Sequence, residues 1–130
     1  MYDIKKNVNV TNFIALCKEE IDDSKQDFNS EDYSRPFIKD ITFHVDPKDH
    51  LHISLIVVNL DDIFYFNSLK DFPTKDFLVK TIMVSDTKSG PKKDWKIAML
   101  SRKSINDDNI DYLIETIKPY IELVGSIDIR

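Results

Sequence analysis

The most constraining feature of the chain is a pair of alternating apolar runs, 38–46 and 51–59, separated by the turn-forming connector DPKDH. Ile41, Phe43 and Val45 alternate with Asp40, Thr42 and His44. Leu51, Ile53, Leu55 and Val57 alternate with His52, Ser54, Ile56 and Val58. A period of two is the signature of a strand with one face buried, and a one-residue slip would turn every apolar side chain to solvent. Keeping both apolar sets on one face pairs Val45 with Leu51, Phe43 with Ile53 and Ile41 with Leu55. The same register sets His44 opposite His52. Whatever the fold is, it contains this antiparallel hairpin.

Around it the pattern alternates between helical and extended. Residues 12–23 read as a helix with Phe13, Ile14, Cys17 and Ile21 inward, Leu16 beside them and Thr11 as N-cap. The segment DFNSEDYSRPF after it reads as a loop. Residues 61–70 suit a short helix capped by Asp61 or Asp62 and carrying Ile63, Phe66 and Leu69, ended by Pro73; the aromatic density also suits a strand. Residues 77–85 and 94–101 predict a second hairpin around DTKSGPKK, with Trp95, Ile97 and Met99 on one side. A long helix over 107–124, opened by Ser104 or Asn106, carries the stripe Ile110, Leu113, Ile114, Ile117, Ile121 and Val124. Pro119 should kink or split it and Gly125 should serve as its C′ residue. The tail SIDIR alternates like a short edge strand. The expectation is a single α+β domain over 1–130: an antiparallel sheet of about four strands in two hairpins, helices on one face, and a long C-terminal helix.

Composition removes whole classes of function. With two glycines, Gly90 and Gly125, no glycine-rich phosphate loop or dinucleotide fingerprint is possible. One cysteine, Cys17, makes no internal disulfide and no thiolate-rich metal site. No apolar stretch approaches the roughly 18 residues of a membrane span and none resembles a signal peptide, so a cytoplasmic protein without a membrane partner is expected. The net charge of −5 makes nucleic acid an unfavourable partner. Yet 86–103 concentrates Lys88, Lys92, Lys93, Lys96, Arg102 and Lys103 against Asp86 and Asp94, a local basic patch.

Three readings of function follow. His44 and His52, with Cβ atoms about 5 Å apart if directly opposed, could work as an acid and a base or share a metal; Asp40 is the acid visible on the same strand face. His52, Ser54 and Leu55 also resemble one copy of the His-x-Ser/Thr-aliphatic motif that occurs twice in 2H phosphoesterases. That resemblance spans about four residues, and His44 is followed by Val45 and Asp46, so the second copy is missing. The pair and the motif together imply a small hydrolase or metal-dependent enzyme centred on His44, His52 and Ser54. The basic segment implies an adaptor or phage accessory protein. The third reading rests on the acidic helix faces: Glu19, Asp22 and Asp23 on the first helix, and Asp108, Asp111, Glu115 and Glu122 on the last. A dense negative face steers and holds a cationic partner. With no catalytic residues, cofactor or metal in evidence from the sequence, the expectation is a non-enzymatic protein-binding inhibitor of the bacterial immunity or antitoxin kind, neutralising a cationic, nuclease-like toxin.

Overall fold

The computed structural model describes residues 2–28, 36–85 and 92–125. Strands β1 (Phe37–Val45), β2 (Leu51–Asp61), β3 (Phe77–Ser85) and β4 (Lys92–Ser101) form one antiparallel sheet in the order β1-β2-β4-β3. Helices α1 (Val8–Phe28), α2 (Asp62–Leu69) and α3 (Ile110–Gly125) cover one of its faces. This is the α+β architecture that the two hairpins imply. The hairpin register is also the expected one: Val45 pairs with Leu51, Phe43 with Ile53, Ile41 with Leu55 and His44 with His52. The hairpins join through β2 and β4, which leaves β1 and β3 at the edges.

The core follows from that register. Leu51, Ile53, Leu55 and Val57 of β2 and Ile97 and Met99 of β4 are buried under Val10, Phe13, Cys17 and Ile21 of α1 and the stripe of α3. Alternation alone would turn Leu60 outward. One extra residue in β2 between Val57 and Leu60 restores it to the core, and Asn59 takes the left-handed conformation there (φ 62°). Asparagine tolerates that region better than most residues.

Several local expectations are corrected. The first helix starts at Val8, not near Thr11, because the Asn7 side chain accepts the Val10 amide (3.1 Å) while the Thr11 hydroxyl donates to the Asn7 carbonyl. The last helix starts at Ile110 and not at 107: Asn106 accepts the amides of Asp108 and Asn109 and holds 107–109 as a separate turn. In α2, Ile63 and Phe66 are exposed and Tyr65 and Ser68 are inward, since Tyr65 stacks on Trp95 with ring centroids 4.3 Å apart. Pro119 does not split α3. An interior proline costs about 3 kcal/mol, and each of the six buried stripe residues contributes about 1.5–3 kcal/mol, so packing wins. Gly125 is the last helical residue and not a left-handed cap. A Cβ there would lie 2.3 Å from Ile38 Cγ1, so the glycine permits close approach of α3 to β1. The expected strand at 126–130 lies outside the described residues.

Candidate functional site

The hairpin turn builds a small polar constellation at one end of the sheet. Asp46, directly after β1, accepts the amides of Lys48 (2.9 Å) and His50 (3.0 Å) through Oδ1, the ordinary way an aspartate closes a turn. Its other oxygen, Oδ2, lies 2.8 Å from His52 Nε2. A carboxylate only accepts, so Nε2 carries the proton. That bond, with the His50 amide next in weight, holds the Asp46 carboxyl down at about 2. The His44 and His52 rings stand 5.1 Å apart, so the expected pair is real in space. Asp40 does not join it. Asp40 pairs with Ile56, four residues along the strand from His44, or about 13 Å at ~3.3 Å per residue. Asp46 takes the place given to Asp40, and a turn-closing aspartate six residues before a strand histidine was the available signal.

Beside His52 and Ser54 the sheet carries a shallow depression of about 300 Å³, continued by Leu78, Lys80, Ala98 and Leu100. Its walls are largely apolar. Among the described residues no group of three or more His, Cys, Asp or Glu side chains could hold a metal ion. The motif of the 2H type thus remains a single copy in an open, hydrophobic trough. His50, the third histidine, is turned elsewhere, with Nδ1 2.7 Å from the Ser101 carbonyl.

The acidic faces occupy the opposite side of the molecule. Helices α1 and α3 lie side by side and run the same way, since Asn7 and Asn9 reach Asp111 while Lys118 sits 5.4 Å from the Phe13 ring centre. Their outer surfaces therefore merge. Glu19, Asp22, Asp23, Asp108, Asp111 and Glu115 are exposed and Glu122 is partly exposed. On the same two helices, Lys18 and Lys118 are the described cationic side chains, and Lys118 is paired with Glu115 at 2.7 Å. Asp111 accepts from Asn7 (3.3 Å) and Asn9 (3.5 Å), which neutralises no charge.

The basic segment does not form one patch. Residues 86–91, with Lys88, lie outside the described residues. Lys93 is paired with Asp62 at 3.1 Å, and Lys96 stands on the uncovered face of the sheet. Arg102 and Lys103 follow the far end of β4, about 30 Å from Lys92 at ~3.3 Å per residue. An extended strand spreads what the sequence had made look local.

Cys17 is buried, and burial pushes its thiol up to about 12, with Lys118 offsetting only part of the effect. A nucleophile needs the reverse. Among the described residues no helix is long and apolar enough to cross a membrane.

No family model, curated protein or solved structure matches this chain. The geometry therefore carries the functional reading by itself.

One feature escaped sequence reasoning altogether. The uncovered face of the sheet exposes Leu78, Ile82 and Val84 of the edge strand β3, each between 46% and 52% accessible. The segment FLVKTIMVS is apolar at both parities, which is the legible sign of a strand with apolar side chains on both faces.

Proposed function

We propose that the chain is a non-enzymatic protein-binding module, an inhibitor of the bacterial immunity or antitoxin kind that neutralises a cationic, nuclease-like toxin through the joined outer surface of α1 and α3. The observation that carries this reading is the acidic layer itself. Seven carboxylates stand on or directly before two parallel helices, Glu19, Asp22, Asp23, Asp108, Asp111, Glu115 and Glu122, against two described cationic side chains on those helices, Lys18 and Lys118, the latter paired with Glu115. Charges of one sign on a rigid surface act together on an approaching partner and raise association rates by about ten- to a thousandfold. Nuclease effectors present the opposite charge because they bind phosphate.

The test is co-expression with the product of the neighbouring gene, followed by binding kinetics. The expected result is rescue of growth, a stoichiometric complex and an association rate that falls steeply with added salt. Glu19→Lys combined with Asp23→Lys should lower that rate at least tenfold with dissociation little changed. An affinity indifferent to both ionic strength and charge reversal would remove the reading.

A second reading, a small hydrolase, has one specific observation behind it: the 2.8 Å bond that orients His52 through Asp46, with Ser54 two residues along the same face. Hydrolysis of a simple phosphodiester that disappears in His52→Ala would favour it. Equal, background-level turnover in both proteins would end it.

A further inference from the structure

Against the acidic background, one concave site is cationic. Lys75, Arg102 and Lys103 line a pocket of about 150 Å³ together with Asp76, Asn109 and Tyr112, and Leu113 adds an apolar wall. Three cations face one carboxylate there, in a chain whose net charge is −5. None of the three has an ion-pair partner among the described residues, whereas Lys93 and Lys118 are both paired.

The backbone presenting these cations is fixed from several sides. The Arg102 amide donates to the Asp76 carbonyl (2.9 Å), and Arg102 Nε donates to the Thr74 carbonyl (2.7 Å). That second bond orients the guanidinium and leaves its terminal nitrogens for the pocket. The buried Ser101 hydroxyl donates to the Lys103 carbonyl (2.9 Å) and accepts the Leu51 amide (2.8 Å), tying the next residue to the sheet. The one carboxylate in the wall is held too: Asp76 Oδ2 accepts the Tyr112 hydroxyl at 3.0 Å. Acids close in sequence are turned away. Asp107 accepts from Tyr2 (3.0 Å) and Asp111 from Asn7 and Asn9, on the α1 side of the helix. Asp108, next in sequence to Asn109 of the pocket wall, remains exposed before α3.

We propose that this pocket binds the phosphoryl group of a small organic phosphomonoester. At about 150 Å³ the pocket has room for a tetrahedral oxyanion. Arg102 offers the planar donor edge that matches phosphate oxygens in pairs, and Lys75 and Lys103 add point charges around it. The Tyr112 ring and Leu113 give the organic substituent an apolar surface. This site adjoins the near end of the acidic helix surface at Asp108 and Asp111, but it does not rest on the partner proposed for that surface.

The experiment is an amide-resolved NMR titration at constant low ionic strength with inorganic phosphate and with phenyl phosphate, using sodium chloride as the control. The expected result is saturable shifts at 74–76, 102–104 and 109–113, with phenyl phosphate binding at least fivefold more tightly than phosphate. Arg102→Gln and Lys103→Gln should each weaken binding tenfold or more in a protein whose spectrum elsewhere is unchanged. Asp76→Asn should tighten it severalfold by removing the opposing charge. Shifts that never saturate, that spread over surface lysines such as Lys39 and Lys80, or that persist unaltered in both Arg102→Gln and Lys103→Gln would overturn the assignment. So would weaker binding in a folded Asp76→Asn.

Discussion

Replacing a helical glycine by alanine ordinarily stabilises a protein by about 1 kcal/mol, because alanine loses less backbone freedom on folding. At Gly125 the structure reverses that sign. An added Cβ would sit 2.3 Å from Ile38 Cγ1 and 2.4 Å from Cδ1, against the ~3.5–4.0 Å at which carbons rest. Ile38 is fully buried, so its side chain cannot swing into water. Overpacking of this kind costs about 1–3 kcal/mol. With two atoms overlapped by more than ~1 Å, the upper part of that range applies, and the net loss is about 1–2 kcal/mol after the helix gain. For a domain of this size that lowers Tm by about 4–8 °C. Urea denaturation of a double-mutant cycle tests the cause. Ile38→Ala alone should cost about 2–5 kcal/mol, and Gly125→Ala made in that background should stabilise, because the new methyl occupies vacated space. The coupling should be about 1–3 kcal/mol. If Gly125→Ala raises Tm, or the two changes add within ~0.5 kcal/mol, the close approach of α3 to β1 is not what the glycine is for.

Asp46, held at about 2 by His52 and the His50 amide, should contribute to acid stability. A depressed carboxyl stabilises the fold above its ordinary value near 4, and that contribution disappears as the pH falls through 2. Asp46→Asn should therefore flatten the urea midpoint between pH 4 and 2, and an unchanged slope there would contradict the pairing. Cys17 behaves oppositely. Its thiol is raised from 9 to about 12 by burial, so its contribution is full below pH 9 and is lost as the pH climbs toward 12. Native protein should resist thiol reagents at pH 8 and react promptly in urea, and Cys17→Ala should soften the alkaline loss of stability. Rapid stoichiometric labelling of the native protein would show that the helix stripe does not exclude solvent.

What was legible in the chain depended on range. Period-two patterning fixed the β1–β2 register down to His44 opposite His52, because any slip would expose Leu51, Ile53, Leu55 and Val57 together. The stripe of α3 was equally readable, with all six expected residues buried. Helix starts were missed where a side chain other than the nearest hydroxyl supplied the cap, Asn7 in place of Thr11. The facing of α2 was missed because Tyr65 is aimed by its stack on Trp95, a partner 30 residues away that no local pattern announces. Site chemistry failed partly for the same reason, since the Thr74–Arg102 contact joins two segments that the sequence separates by β3 and β4. Asp46 is different: it lies six residues before His52, within reach of a reading of the turn.

The arrangement of charge has a consequence for how the two proposed surfaces interact. Along α3, Tyr112 at the pocket and Glu122 on the acidic layer are ten residues apart, about 15 Å at ~1.5 Å per residue. At physiological ionic strength the screening length is about 8 Å, so the far acids of the helix layer, Glu19 and Glu122, act only weakly on an anion beside Arg102. At ~0.01 M salt it grows to about 30 Å and the whole layer opposes the anion. Phosphate affinity should then respond to Glu122→Lys or Glu19→Lys at low salt and become indifferent to both near 0.15 M, while Asp76→Asn, inside the pocket wall, should act at either. A protein in which distant and local charge changes had the same salt dependence would carry a diffuse field and no site. The separation of these two responses is what makes the cationic pocket and the acidic helix surface distinct features of one small fold.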